Sequence, residues 1–223
     1  MKTVQEAMLL YAITDRSWLR PGETLEDQVE IVLANGATCL QIREKELSQE
    51  DFLAEALRIK PICQRYEVPL IINDNVEVAK ACDADGVHIG QDDMEIAAAR
   101  AILGPDKWIG TSAHNVAEAQ KALENGCDYM GSGAVFGSHT KTDAGTLDHV
   151  ELRRICQATP LPVVAIGGIT AQNAAQLTGT GVDGIAVISA LFAQPDKAAA
   201  TREMLALAQR VTGVSREDRR EQS

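Results

Sequence analysis

The stretch that decides the fold is Val68-Pro-Leu-Ile-Ile-Asn73-Asp74, followed after a short Val/Ala-rich span by Asp85-Gly-Val-His-Ile-Gly90-Gln91-Asp92-Asp93. Each half is a short apolar run that ends abruptly at polar or acidic residues. Short apolar runs bounded by turn residues are typical of buried strands in a parallel sheet. If the two strands are parallel neighbours, the carboxylates of Asp74 and Asp93 project from the same rim.

Two converging carboxylates predict a magnesium site, because this hard cation takes carboxylate oxygens together with water and substrate phosphates. Asp74 and Asp93 have a simpler interpretation as helix N-caps, a position that Asp favours where a strand leads into a helix. The two interpretations are compatible, and both stay open at this point.

Working outward from this stretch, the same alternation of apolar run, turn and helical pattern covers most of the chain. Eight strands alternating with eight helices predict an α/β fold with a parallel sheet. The predicted strands cover residues 9–13, 38–42, 70–73, 86–90, 108–110, 129–133, 162–166 and 184–188.

A weak internal repeat supports closure of this sheet into a single (β/α)8 barrel, the TIM-barrel fold. A small residue, a polar residue and then a strand recur before predicted strands two, four, six and eight, as an αβ turn requires. The copies are Gly36-Ala-Thr-Cys-Leu40, Ala84-Asp85-Gly-Val87, Gly126-Cys-Asp128-Tyr129 and Gly181-Val-Asp183-Gly184. The first copy lacks the Asp, and an open doubly wound sheet remains the alternative.

Length and composition suit one globular domain over residues 1–212, followed by a charged tail over residues 213–223 that we expect to be disordered. The net charge of −11 argues against non-specific binding of nucleic acid. No apolar run reaches membrane-spanning length, and the N-terminus lacks the zones of a signal peptide. Five scattered cysteines without a CxxC pair favour reduced thiols and a cytoplasmic location.

In such barrels the functional residues lie at the carboxyl ends of the strands. The loop over residues 134–147 is long for a compact domain, which favours a functional role. Reading the predicted strand ends together produces a rim with three cations, the carboxylate pair and a glycine pair. Its members are Arg43, Lys45, Asn73, Asp74, Asp93, Ser112, Lys141, Gly168 and Ser189.

This rim predicts two anion sites. Gly167-Gly168 after strand seven and Ile188-Ser189 after strand eight occupy the usual phosphate position of the fold. The lysines, the arginine and the metal pair predict a magnesium-bound diphosphate across strands two to six. No nucleophile and base are paired, so the residues favour group transfer with diphosphate as the leaving group. His88 is interpreted as a satisfied core histidine, and Gln41 either as a contact to a planar heterocycle or as an interior polar residue.

Across residues 9–193 these motifs resemble the thiamine phosphate synthase family. The matching segments are Gln41-Ile-Arg43-Glu-Lys45, Asn73-Asp74, Gly86-Val-His-Ile-Gly-Gln91-Asp-Asp93, Gly110-Thr-Ser112-Ala-His114, Thr140-Lys141, Gly167-Gly168-Ile169 and Ile188-Ser189. The resemblance implies a transferase of thiamine biosynthesis that joins hydroxymethylpyrimidine diphosphate to a carboxythiazole phosphate. The products are thiamine phosphate, diphosphate and carbon dioxide, formed by a dissociative, magnesium-assisted mechanism.

The resemblance also implies a role for each matching position. Asp74 and Asp93 hold Mg²⁺. The pyrimidine diphosphate is bound by Gln41, Arg43, Lys45, Asn73, Ser112 and Lys141, of which Lys45, Ser112 and Lys141 are the predicted catalytic residues. The thiazole phosphate is bound by Ser138, Thr140, Gly168, Ile188 and Ser189. Where the family has Pro-Thr after the aromatic of the strand-six loop, Phe136 is followed here by Gly137-Ser138, which keeps a hydroxyl.

Two alternatives remain. A thiazole tautomerase on a similar barrel would need the phosphate site but neither the metal pair nor both lysines. A non-catalytic sensor of thiazole or thiamine phosphates would not need the metal pair either. The expected partners are the small-molecule substrates, with neither nucleic acid nor membrane; assembly into a homo-oligomer is left open as an alternative to a monomer.

Overall fold

Eight short parallel strands form a closed barrel in chain order in the computed structural model, which describes residues 2–91, 93–137 and 146–220, with residues 214–220 as backbone only. Leu10 of the first strand lies opposite Ile185 of the last, so the sheet closes on itself. This confirms the predicted (β/α)8 barrel over the open sheet. The strands are β1 (Leu10–Ile13), β2 (Cys39–Ile42), β3 (Leu70–Asn73), β4 (Gly86–Ile89), β5 (Trp108–Ser112), β6 (Tyr129–Gly133), β7 (Val163–Ile166) and β8 (Gly184–Val187).

Helices alternate with these strands and surround the barrel. They are α1 (Val4–Ala7), α2 (Leu25–Ala34), α3 (Gln49–Arg65), α4 (Val76–Ala81), α5 (Ile96–Leu103), α6 (Val116–Glu124), α7 (His149–Ala158), α8 (Ser189–Phe192) and α9 (Lys197–Arg220), with 3₁₀ turns at Arg16–Trp18 and Ala174–Leu177. Within the described ranges, no helix is both long and apolar enough to cross a lipid bilayer. All five cysteines are free thiols.

The core has two layers, because successive strand residues face alternately outward and inward. Outward residues such as Leu40 and Ile72 pack with the helices in one large buried cluster. Inward residues form a smaller cluster that includes Tyr11, Ile71 and Tyr129. The inner layer fills the barrel, so the carboxyl rim is the face left for chemistry.

The repeat seen in the sequence has a physical cause in the barrel. The side-chain oxygens of Asp85, Asp128 and Asp183 each accept a backbone N–H from the first or second residue of the preceding strand, at 2.8, 2.7 and 2.9 Å. In the first copy Thr38 Oγ1 does the same for Leu10 N at 2.8 Å. Each polar residue thereby ties one strand to its neighbour, and a hydroxyl replaces the carboxylate in the copy that lacks Asp.

Several local expectations differ from the structure. Neither Asp74 nor Asp93 is a helix cap, since Asn75 caps α4 and Glu95 precedes α5. Where the sequence pattern predicts a helix after β7, the chain forms a 3₁₀ turn that Asn173 precedes. The single turn α1 is not indicated by any sequence period, because four residues are too few to show one.

The last helix is longer than the sequence pattern indicates. It continues past Gly213 to Arg220, whereas the apolar periodicity ends near Val211. One glycine costs a helix only about 1 kcal/mol, and no proline stops the chain there. The assignment of residues 1–212 to one domain and of residues 213–223 to a disordered tail stays a prediction.

Candidate active site

The carboxylates of Asp74 and Asp93 face each other at the carboxyl rim. Asp74 follows β3, and its backbone N–H donates to the carbonyl of His88 in β4 at 2.8 Å. Its φ of +61° lies in the left-handed region that non-glycine residues rarely adopt and that is often found at functional sites. Asn73 Nδ2 donates to Asp74 Oδ2 at 2.6 Å, and Gly90 N donates to Asp93 Oδ2 at 2.6 Å. Each carboxylate is therefore held in place by its own loop.

The electrostatics of this pair leave a place for a cation. Both residues lie on the exposed rim, yet desolvation of the Asp74 carboxylate in the barrel mouth and the charge of Asp93 raise the pKa of Asp74 to about 6. Two close carboxylates resist ionising together unless a positive charge lies between them. Among the residues that the structure describes, no third acidic, His or Cys side chain completes a metal cluster. Within those residues, the carboxylates of Asp74 and Asp93 are the acidic ligands that a cation at this place would meet.

Two of the three predicted cations follow β2. The backbone N–H of Arg43 donates to the buried Thr14 Oγ1 at 3.0 Å, which ties the start of this loop to the end of β1. Neither Arg43 nor Lys45 has a salt-bridge partner within the described ranges, while Arg43 is close enough to Asp74 to oppose the rise in its pKa. The third cation, Lys141, lies outside the described residues, as do Ser138 and Thr140.

A chain of hydrogen bonds crosses the barrel interior beneath the rim. Gln41 Nε2 donates to Tyr11 Oη at 2.7 Å, and Tyr11 Oη lies 2.9 Å from Tyr129 Oη. His88 Nδ1 lies 3.2 Å from Tyr129 Oη, and His88 Nε2 lies 3.4 Å from Ser112 Oγ. Burial raises the pKa values of both tyrosines well above the ordinary value, so both phenols are neutral. The two predicted substrate contacts Gln41 and Ser112 are the ends of one buried polar network.

The sequence-based prediction missed Tyr11 and Tyr129 as part of this site. The sequence could have indicated them by their position, because each is an inward-facing residue of a short strand, with its side chain inside the barrel beneath the rim. Gly110 marks the space that Tyr129 needs, because a Cβ at Gly110 would lie 2.1 Å from the Tyr129 ring. His88 fits its interpretation as a hydrogen-bonded core histidine.

The glycine pair after β7 lies against the loop that follows β6. Phe136 N donates to the carbonyl of Gly167 at 3.0 Å. Gly168 has a φ of +65°, and a Cβ there would lie 2.7 Å from the carbonyl oxygens of Phe136 and Gly137. Ser189 begins α8 beyond the neighbouring strand. The predicted phosphate residues Gly168, Ile188 and Ser189 thus lie on the adjacent loops after β7 and β8, and only glycine fits where the loop after β7 touches the loop after β6.

His114 contacts Glu118 rather than the rim residues described above. Its Nδ1 lies 2.8 Å from Glu118 Oε2, and its backbone N–H donates to the same oxygen at 2.8 Å. This is a helix-start contact at the beginning of α6, with the imidazole four residues before its partner.

Comparisons with known proteins agree with this geometry. The family model described as thiamine monophosphate synthase matches residues 10–191. A thiamine-phosphate synthase from Caldanaerobacter subterraneus subsp. tengcongensis is 46% identical over 88% of this chain and 91% of its own. A second, from Chloroflexus aurantiacus, is 46% identical over 89% of this chain and 91% of its own.

A solved structure shares both the fold and the sequence. The thiamine phosphate pyrophosphorylase from Pyrococcus furiosus superposes with a TM-score of 0.86 and 37% identity, covering 94% of this chain and 99% of its own. A structure of KGPDC from Streptococcus mutans superposes with a TM-score of 0.65 at 12% identity, which shows a shared barrel only. The matched residues, the barrel and the strand-end side chains together place this chain in the thiamine monophosphate synthase family.

Proposed function

We propose that the protein condenses hydroxymethylpyrimidine diphosphate with carboxythiazole phosphate to form thiamine phosphate, diphosphate and carbon dioxide. The observation that carries the proposal is the facing pair Asp74 and Asp93 on the same rim as Arg43 and Lys45. Two metal-binding carboxylates beside cations that have no salt-bridge partner among the described residues suit a diphosphate. Gly167 and Gly168, here called the glycine cradle, lie on the opposite side of the rim and suit a second, smaller phosphate.

The carboxylate pair fits Mg²⁺. Two oxygen donors face each other, and the raised pKa of Asp74 reflects a negative charge that a divalent cation would neutralise. With two protein ligands, the remaining coordination positions suit water and substrate phosphates, which is usual for this cation. When bound, Mg²⁺ would stabilise the charge that develops on the departing diphosphate.

The side chains of the protein bind the two reacting groups and stabilise the charge that develops on the diphosphate. Arg43, Lys45 and Lys141 attract the diphosphate, and this attraction strengthens as its bond to the pyrimidine methylene breaks with the electron pair. Gln41 and Ser112 hold the pyrimidine at opposite ends of the buried polar network. The thiazole nitrogen then supplies the electron pair of the new bond to the methylene carbon. The thiazole carboxylate leaves as carbon dioxide, and the electron pair of the broken carbon–carbon bond stays on the ring carbon, which takes up a proton from water.

The thiazole phosphate is assigned to the loops after β7 and β8. Gly168 permits close approach of the phosphate to the backbone, and Ile188 and Ser189 offer N–H and hydroxyl donors at the start of α8. Ser138 and Thr140 are proposed as further ligands. The five free cysteines support a reducing, cytoplasmic location for this reaction.

One assay tests the proposal. Purified protein is mixed with both substrates and Mg²⁺, and thiamine phosphate, diphosphate and carbon dioxide are measured together. Equal amounts of the three products are expected. A protein that binds the thiazole phosphate but shows no affinity for the pyrimidine diphosphate with Mg²⁺ would contradict the proposal. Isomerisation of the thiazole would then indicate a tautomerase, and binding without chemistry would indicate a sensor.

A further inference from the structure

Behind the loop that carries Arg43 and Lys45 lies a cluster of three charged side chains, two buried carboxylates and one partly exposed guanidinium. Arg16 follows β1, Glu44 lies between the two cations, and Glu55 comes from the middle of α3. Arg16 Nε donates to Glu44 Oε2 at 3.3 Å, and Arg16 Nη2 donates to Glu55 Oε2. The Glu44 and Glu55 side chains are only 5% and 2% exposed, whereas that of Arg16 is 44% exposed.

This cluster holds more negative charge than one guanidinium neutralises. One oxygen of each carboxyl group, Oε1 of Glu44 and Oε1 of Glu55, is buried and accepts no hydrogen bond from a donor group among the described residues. Burial and hydrogen bonding to Glu44 raise the pKa of Glu55 to about 7. A proton held between the two carboxyl groups satisfies both of them and leaves one negative charge for Arg16.

The position of Glu44 connects the cluster to the rim. Lys45 is exposed and Arg43 half-buried, while the side chain between them is buried. An anchored middle residue restricts the backbone on both sides, and catalytic positioning is sensitive to displacements on the order of 1 Å. We propose that Glu55, together with Arg16, is a positioning residue: it holds Glu44 so that Arg43 and Lys45 are aligned for the pyrimidine diphosphate. This inference rests on the proposed function.

The test compares two substitutions at Glu55. Glu55→Gln keeps the shape, can donate to Glu44 and can accept from Arg16, so it mimics the protonated carboxyl. Glu55→Ala leaves the pair of Arg16 and Glu44 in place but removes its contact with α3. At a pH below 7, we expect Glu55→Ala to raise the KM for the pyrimidine diphosphate about 10- to 100-fold, with the KM for the thiazole phosphate unchanged. Glu55→Gln should stay close to the wild type.

Two further variants keep the inference testable if Glu55→Ala folds poorly. Arg16→Gln removes a half-exposed partner and should also raise the KM for the pyrimidine diphosphate selectively. Asp128→Ala is the matched control. It breaks a different ion pair, in which Arg100 Nη2 lies 2.7 Å from Asp128 Oδ2, at the amino end of the barrel and away from the carboxyl rim. It should lower the melting temperature without changing the ratio of the two KM values.

A double-variant cycle separates positioning from other effects. If Glu55 acts through Arg43 and Lys45, the effects of Glu55→Ala and Lys45→Ala on the KM for the pyrimidine diphosphate should combine to less than their sum in free energy, because coupled residues are not additive. Full additivity would overturn the inference, as would equal changes in both KM values or a Glu55→Gln variant as impaired as Glu55→Ala. If the wild type forms no thiamine phosphate, the failure belongs to the proposed function instead.

Discussion

Asp74 and Asp93 present their carboxylates to each other from the ends of adjacent strands, although Asp74 must adopt a left-handed backbone to do so. Desolvation and the Asp93 charge raise the pKa of Asp74 to about 6. Such a pair is unfavourable in isolation and becomes favourable when a cation binds between its members. Strain and repulsion at one position therefore indicate a ligand site more strongly than two acidic residues in a sequence do.

The first prediction concerns the metal. EDTA should abolish thiamine phosphate formation, and Asp74→Ala should lower kcat about 100-fold or more, on the scale of losing one preorganised charge-stabilising group. Asp106→Ala, which changes an exposed acid outside the carboxyl rim, is the control and should leave kcat unchanged. Full activity in EDTA would rule out the magnesium assignment.

The second prediction concerns pH. Mg²⁺ binds the ionised carboxylate, so its affinity should be highest above the pKa of Asp74 and should fall as the pH falls through about 6. Calorimetric titration near this pH in buffers with different ionisation enthalpies should show release of protons on binding. Asp74→Asn should bind the ion more weakly and with less dependence on pH. An affinity for Mg²⁺ that is constant between about pH 5 and pH 7 would contradict the assignment.

The third prediction concerns the glycine cradle. Gly168→Val should raise the KM for the thiazole phosphate far more than that for the pyrimidine diphosphate, because its Cβ would lie 2.7 Å from two carbonyl oxygens. Gly104→Val is the control for backbone strain: its φ of +87° and ψ of 179° also disfavour valine, but the substitution there meets open space, with nothing packed within 4 Å of the added Cβ. Ser189→Ala should have a modest effect, since backbone donors remain. Equal KM changes for both substrates in Gly168→Val would show that the two pockets are wrongly assigned.

The fourth prediction concerns the lysines. Lys141→Ala should lower kcat while leaving thiazole phosphate binding nearly intact, because attraction to the leaving diphosphate grows in the transition state. Steady-state kinetics and calorimetry with each ligand separately would measure both effects. Lys80→Ala, at an exposed position of α4, should change neither. A Lys141→Ala variant with lower thiazole phosphate affinity and normal kcat would reverse the assignment.

The fifth prediction concerns stability. An acid whose pKa is higher in the folded protein stabilises the fold below its ordinary pKa, and this contribution is lost as the pH rises through the folded value. For Glu55 the window runs from 4.5 to about 7. Over this window, urea unfolding should show the free energy of unfolding of the wild type falling relative to that of Glu55→Gln by up to about 3 kcal/mol. Parallel curves for the two proteins would show that Glu55 does not hold the buried proton.

The sequence predicts most of the barrel and the rim, because each strand and its polar end are encoded by a short continuous stretch of residues. Leu70-Ile71-Ile72 ends at Asn73-Asp74, and a parallel sheet places every such end on one face, so position along the chain is enough to group the rim residues. The network from Gln41 to Ser112 was missed because its two central tyrosines lie within strands. In a sequence, a tyrosine at an inward position of a strand looks like an ordinary residue of the hydrophobic core. The link between Glu44 and Glu55 joins a loop to a helix face, which no spacing rule indicates.

The junction of β1 with β8 has a consequence for how the protein is made. Gln5 Nε2 donates to Asp183 Oδ1 at 3.1 Å, and a Cβ at Gly184 would lie 1.8 Å from the carbonyl oxygen of Met8, so the two strands meet closely. A chain emerging from the ribosome holds β1 as an unpaired edge until β8 has been translated, and unpaired edges attract other chains. Tyr11, which lies on β1, takes its place opposite Ala186 only at that moment. The strand that carries this central tyrosine of the polar network is therefore paired on both sides only once the eighth strand of the barrel is in place.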